Sequence, residues 1–206
     1  MKSVLRLLNT QPNFVYFSFL FFICLKHIHT LFNSYFNVFV FFCYSPAMWT
    51  FQEYLAHRYL MHHFEPIKKI HFKHHFDPQD KNKIFIPIFF TLLNSIFNLT
   101  IVYKFFNYEV MMLNYSSFVL CYLLFEYVHW SCHNNNIEIL KGPRIFHILH
   151  HTKKYDNTTV YNYGFTSASW DIIFNTCDPL TLNKKYSFLL LIPFPVLPMI
   201  FVELLN

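Results

Sequence analysis

Residues 84–103 read IFIPIFFTLLNSIFNLTIVY, twenty positions without a single charge. A helix needs about 20 apolar residues to cross roughly 30 Å of hydrocarbon, so this stretch is expected to span a membrane. Working outward, three more windows share the property. Leu7–Cys24 meets no charge before Lys26, and Leu31–Gln52 has LFNSYFNVFVFFCYSPAMW as its apolar body. Val110–Phe125 is shorter and is long enough to span only if it reaches Val128. The 206-residue chain is 54% hydrophobic and 13% charged, where a soluble domain carries about 25% charged residues. With Phe at 28 and Tyr at 14, that composition excludes a disordered chain. It also excludes a nucleic-acid-binding one, despite a net charge of +5. The expected fold is an all-α integral membrane protein of four transmembrane helices in two hairpins, with a cytosolic helical cap.

The basic residues orient it. If the spans pair as hairpins, only Lys26 and Lys104 of the 16 Lys and Arg fall on the far side. The side holding Lys2, Arg6, the Arg58–Lys83 loop and the chain from Lys141 is therefore expected to be cytosolic, and its charge to meet anionic headgroups. Leu7–Cys24 follows a short basic start but no small-residue cleavage site, so it reads as a retained span rather than a signal peptide. The five cysteines (Cys24, Cys43, Cys121, Cys132, Cys177) contain no C-x-x-C pair, which argues against a disulfide framework or thiolate zinc site. Sequons at Asn98, Asn114 and Asn157 fall in spans or on the expected cytosolic side. The apolar tail 187–206 carries Pro193, Pro195 and Pro198, which break most helices; it reads as interfacial or as a kinked fifth span. One domain, 1–206, is the economical organisation.

The histidines carry the chemistry. Thirteen are present, and ten fall in four clusters: His57 and His62 in EYLAHRYLMHH, His71, His74 and His75 in HFKHH, His129 and His133 in HWSCH, and His147, His150 and His151 in HILHH. Residues three or four apart share a helix face, so His71 faces with His74 and His75, His129 with His133, and His147 with His150 and His151. His57 and His62 are five apart, about 140° around an α-helix. They share an ion only with local distortion, or else serve different ions; His63 is an alternative to His62. Neutral imidazole is the commonest transition-metal ligand, and ten exceed what one ion takes, which suggests two metals. His27 and His29, on the opposite side, read as ordinary polar contacts. Glycine-rich phosphate loops, a G-x-S-x-G elbow and H-E-x-x-H are absent from the sequence.

H-x(4)-H, H-x-x-H-H, H-x(3)-H and H-x-x-H-H, in that order around a hydrophobic hairpin, resemble the fatty acid hydroxylase and sterol desaturase superfamily over Trp49 to Thr176. Glu53–His62 is similar to the E-Y-x-x-H-R-x-x-x-H of fatty acid 2-hydroxylases. HHFDPQDKNKIFIP (His74–Pro87) and YGFTSASWDIIFNT (Tyr163–Thr176) resemble further family segments, the latter G-x(5)-W-D-x-x-F-G-T. The resemblance implies a membrane-bound, O2-dependent dimetal enzyme with His57, His62, His71, His74, His75, His129, His133, His147, His150 and His151 as ligands. Iron is the chemically sensible metal, since zinc lacks redox chemistry, although zinc is a possible occupant. Electrons would come from NADPH through a reductase and a cytochrome b5-type donor, a separate partner because no carrier domain is fused. Glu126 matches a family acid near the metals and either orients an imidazole N–H or is a helix-end charge. Asp171 orients a ligand or caps a helix; Glu53 and Arg58 pair with each other or with a backbone carbonyl.

Three departures stand out. His62 to His71 is shorter than in fatty acid 2-hydroxylases and nearer to sterol-type or small prokaryotic members, extra residues follow His151, and FNT replaces F-G-T. The first reading is hydroxylation of a long acyl chain at C2, in a fatty acid or ceramide. The alternatives are a sterol desaturase or sterol methyl oxidase, and a non-catalytic metal-binding membrane protein. The expected location is the endoplasmic reticulum in a eukaryote, or the inner membrane in a bacterium.

Overall fold

The computed structural model describes residues 16–20, 33–80, 83–134, 140–152 and 160–179. These contain helices and no strand. The expected first span, except for helical residues 16–20, lies outside the described residues. So do Cys24, His27, His29, Asn157 and the tail 187–206.

The second expected window is helical in three pieces: α1 (Tyr35–Phe39), a π-helical turn (Val40–Tyr44) and α2 (Ser45–Leu55). The Ser34 hydroxyl caps α1 by accepting the Asn37 N–H at 3.1 Å. The π turn has a cause in Pro46, which offers no N–H to the Phe42 carbonyl and would strike it. Widening the turn to i→i+5 spacing relieves both problems, and Ser45 donates its hydroxyl to the Val40 carbonyl, five residues back, at 2.7 Å. A second π turn, Ala56–Met61, follows α2 and leads to α3 (Glu65–Phe76). Pro66 stands in the first turn of α3, where its missing N–H costs nothing.

Helix α4 (Ile88–Phe105) begins later than the uncharged window because Pro87 occupies its N-cap and disfavours a helical Ile86. Asn107 then caps α5 (Tyr108–Asn134), its carboxamide oxygen accepting the Val110 N–H at 3.0 Å. Reaching Asn134, α5 runs well beyond both Phe125 and Val128, a rise of about 40 Å for its 27 residues. Among the described residues, α4 and α5 are the helices long and apolar enough to cross a membrane. Helix α4 buries Thr91, Ser95 and Asn98 while exposing Phe89, Leu93, Ile96, Phe97 and Ile101. That is the reverse of a soluble amphipathic helix and suits one facing lipid. Two shorter helices complete the set, α6 (Lys141–Thr152) and α7 (Ser169–Ile173).

The chain forms two compact units, and α2 and α5 contribute residues to both. In the first, Trp49 meets Phe118 edge-on at 4.9 Å, and Phe17 packs on Tyr122 at 4.3 Å. There Ser117 also donates its hydroxyl to the Phe41 carbonyl at 2.7 Å. The second unit takes Thr50–Phe85 and the chain from Phe125, and so contains every clustered histidine.

Candidate metal centre

The π turn Ala56–Met61 answers the question raised by five-residue spacing. With i→i+5 geometry, residues five apart stack on one face, and the His57 and His62 rings lie 5.1 Å apart. His63 is exposed and turns its ring toward Tyr59. From α3, His71 and His75 project beside this pair; from α6, His150 does so. The ligand-capable nitrogens of His57, His62, His71, His75 and His150 all lie within 4.8 Å of one another.

A second group draws His74 from α3, His129 and His133 from α5, and His147 from α6, again within 4.8 Å. Each H-x-x-H-H triplet is therefore divided between the groups rather than serving one ion from one face. A helix face is broad enough for neighbouring rings to diverge by 100° per residue. His151 stands at the border. Its Nε2 is 2.9 Å from that of His147, while its ring packs 4.2 Å from that of His75.

The groups fit metal ions. The Nδ1–H of His57 is donated to the Tyr163 carbonyl and that of His150 to the Tyr161 carbonyl, the latter at 2.7 Å. That assignment leaves both Nε2 atoms as bare lone pairs. They nevertheless face other imidazole nitrogens, His57 to His71 at 3.1 Å and His150 to His62 and His75 at 3.2 Å. Lone pairs pressed together repel unless a cation lies among them. At metal–nitrogen distances of about 2.0–2.1 Å, adjacent ligands are separated by about 2.9–3.4 Å. The first group's nearest separations, from 2.9 to 3.2 Å, match that edge length. In the second group His129 and His74 are 3.2 Å apart, and His147 and His133 2.7 Å.

Burial keeps these rings neutral. It holds His57, His71, His147 and His150 well below the ordinary histidine range, and crowding by neighbouring imidazoles adds to the effect. It pushes His62 down to about 4, His151 to about 3 and His74 to about 2, and lowers His75 as well. Neutral imidazoles are ready ligands, because no proton must leave before a metal binds.

The candidate acids occupy different places. Glu126 is wholly buried on α5, three residues before His129. Asp171 is equally buried, but its contacts are neither with an imidazole nor with the start of its own helix. Its carboxylate accepts the N–H groups of Tyr163 and Gly164 at 2.8 and 2.7 Å and the Thr176 hydroxyl at 2.8 Å. Burial still pushes it up to about 6. Glu53 accepts the N–H groups of Phe165 and Thr166 and the Thr166 hydroxyl, while Arg58 donates to the Tyr54 hydroxyl. Sequence reading singled out Tyr163–Thr176 by its resemblance but gave no role to Phe165 or to the backbone beside it. Phe165 stacks on His57 at 4.7 Å and packs against His129 and His147 at 4.7 and 4.6 Å. The signal was the glycine in YGFT, since a Cβ at Gly164 would lie 2.1 Å from the Ser167 carbonyl oxygen. The Asn of FNT also finds its reason: Asn175 has φ 53°, a left-handed position that suits Gly or Asn.

A family model described as fatty acid hydroxylase matches residues 42–176. The chain belongs to the fatty acid hydroxylase family. Three relatives carry descriptions as ceramide or fatty acid hydroxylases. It is 28% identical over 152 residues to the ceramide very long chain fatty acid hydroxylase scs7 of Schizosaccharomyces pombe, covering 68% of this chain and 43% of that protein. It is 24% identical to the Saccharomyces cerevisiae protein of the same description, covering 75% and 41%. To the fatty acid 2-hydroxylase of Mus musculus it is 25% identical, covering 66% and 39%. The chain thus spans about two fifths of the length of these relatives. Among solved structures, full-length scs7p with only its hydroxylase domain visible shares the fold at a TM-score of 0.63 and 23% identity, covering 76% of this chain and 62% of that one.

Proposed function

We propose that this chain is one catalytic domain, a membrane-bound, O2-dependent hydroxylase of a long acyl chain in a fatty acid or ceramide, acting at C2. The observation that carries the reading is the pair of adjoining imidazole groups, five and four nitrogens each within 4.8 Å of one another. Family membership and the relatives' descriptions support a lipid substrate. His57, His62, His71, His75 and His150 would hold one ion; His74, His129, His133 and His147 the other, with His151 joining it. Two iron ions would supply the redox chemistry that breaking an unactivated C–H bond requires and that zinc lacks. The overall change inserts one oxygen atom of O2 into C–H and reduces the other to water with two electrons and two protons. NADPH would provide the electrons through a reductase and a cytochrome b5-type donor.

The chain's own contribution is positional. It converges ten imidazoles in a buried site, keeps the eight outside α5 neutral, directs Nδ1 protons of His57 and His150 to carbonyls, and packs Phe165 against three of the rings, which excludes water. Glu126 would orient a neighbouring imidazole. Four spans in two hairpins, with the histidines on the cytosolic face of the endoplasmic reticulum or of a bacterial inner membrane, complete the proposal.

The nine residues from His62 to His71 favour a second reading, a sterol oxidase or desaturase of the same superfamily. Expression in cells lacking 2-hydroxylated sphingolipids separates the two. Restored 2-hydroxy acyl chains in lipid mass spectra are expected; an altered sterol profile with no new hydroxy acid would refute the acyl assignment.

A further inference from the structure

Residues Tyr163–Thr166 form a strap that touches rings of both histidine groups, and the Tyr163 carbonyl and all four N–H groups along it have defined partners. The Tyr163 carbonyl accepts the Nδ1–H of His57. The next three N–H groups, with that of Tyr163 itself, are shared out between two buried carboxylates on different elements. Asp171, from α7, takes Tyr163 and Gly164; Glu53, from α2, takes Phe165 and Thr166. Residue 164 has no room for a side chain here, since a Cβ would lie 2.1 Å from the Ser167 carbonyl oxygen and 3.0 Å from Oδ2 of Asp171. Its Phe165 ring touches His57 of one group and His129 and His147 of the other.

A second chain of donors ends on Asp171. Arg58 donates to the Tyr54 hydroxyl. Because Thr176 gives its proton to Asp171 at 2.8 Å, Tyr54 must donate in turn to Thr176, at 3.1 Å. Each hydroxyl is used once and in one direction, so the network is polarised toward the carboxylate.

We propose that Asp171 and Glu53 are positioning residues of the metal centre: by gripping the strap from both sides they hold the Tyr163 carbonyl on His57 and the Phe165 ring between the two groups. Neither touches an imidazole. Asp171 acts through one peptide on the tautomer of His57, the relation by which outer groups set a metal ligand's proton and ring orientation. This inference rests on the two-metal reading above.

The two acids differ in what replaces them. Gln at 53 keeps an oxygen for both N–H groups, and its amide can donate to the Thr166 oxygen, so E53Q preserves the grip; E53A removes it. Asn at 171 turns an N–H toward the N–H of Gly164 or Tyr163, donor against donor, so D171N breaks it.

The test uses full-length protein in detergent, loaded with ferrous iron or cobalt, then challenged with a chelator while bound metal per chain is counted. Wild type and E53Q are expected to retain two ions. D171N and E53A are expected to fall toward one, with the first group emptied about 10–100-fold faster, the usual cost of losing such a partner. T176V, which keeps shape and removes the hydroxyl that links Tyr54 to Asp171, should lie between and decides the matter if D171N does not fold. Wild-type retention in D171N and T176V overturns the positioning role and leaves the two-metal reading standing. Wild-type protein that takes up no metal overturns both.

Discussion

At the scale of single residues, the decisive property is which nitrogen of each imidazole carries the proton. His57 and His150 give their Nδ1 protons to carbonyls of the segment 161–163, so both present Nε2 as a lone pair inward. His147 lies in the other group, 2.7 Å from His133 and 2.9 Å from His151 through Nε2, and removing it deletes the nitrogen nearest to two others. H147A is therefore expected to insert into membranes normally, to lose the second group's metal, and to form product more than about 100-fold more slowly, since even outer partners of a ligand cost 10–100-fold. Metal counting and product assay on the membrane-extracted protein check this; unchanged turnover would remove His147 from the ligand set. The choice between His62 and His63 belongs to the same scale. The spacing of the resembling motif favoured His62, with His63 as the alternative, and the structure brings His62 into the first group and leaves His63 exposed.

At the scale of elements, the π turn at Ala56–Met61 does what no α-helix does with five-residue spacing. It stacks His57 over His62 and so admits both to one group. Deleting Tyr59 would leave the two histidines four apart on a plain α-helix, still on one face. Inserting an alanine after Tyr59 would carry His62 round by about 100°. The deletion is expected to keep most bound metal and the insertion to retain about one ion per chain, as measured by elemental analysis. Equal metal in both variants would mean that the turn is incidental. Helix α3 makes the complementary point, sending His71 and His75 to one group and His74 to the other.

At the scale of the whole molecule, burying so many imidazoles makes stability depend on pH. The histidines of α3 and α6, with His57 and His62, have folded-state pKa values below 6.5, reaching about 4 for His62, about 3 for His151 and about 2 for His74. A lowered histidine pKa means that the unfolded chain binds more protons below 6.5, so stability is full above that pH and falls as pH drops beneath it. Each such ring contributes up to about 1.4 kcal/mol per pH unit. Asp171, raised to about 6, acts oppositely, since its folded form takes up a proton first and gains stability between 6 and 3.8. One carboxyl does not offset a field of imidazoles. Metal-stripped protein should therefore show a constant Tm from pH 8 to 7 and a Tm lowered by several degrees at pH 5.5; a flat profile would contradict the buried neutral rings.

The sequence by itself determined what depends on local order. Uncharged windows marked α4 and α5 as long and apolar enough to cross a membrane, and histidines at three- and four-residue intervals marked the helix faces whose nitrogens converge. The motif set in its order around a hairpin identified the family. Spacing along a single helix cannot say which imidazoles of different helices meet, because that depends on how α3, α5 and α6 lie against one another across long sequence separations. Tertiary structure alone therefore divided each H-x-x-H-H between two groups. It also set the π turn that reconciles His57 with His62, and turned Asp171 and Glu53 toward the backbone of 163–166 instead of toward a ring or an arginine. Buried carboxylates bind whatever donors the packing leaves unsatisfied, and here those donors were the N–H groups of a strap whose pairing with Glu53 spans 112 and 113 residues of sequence.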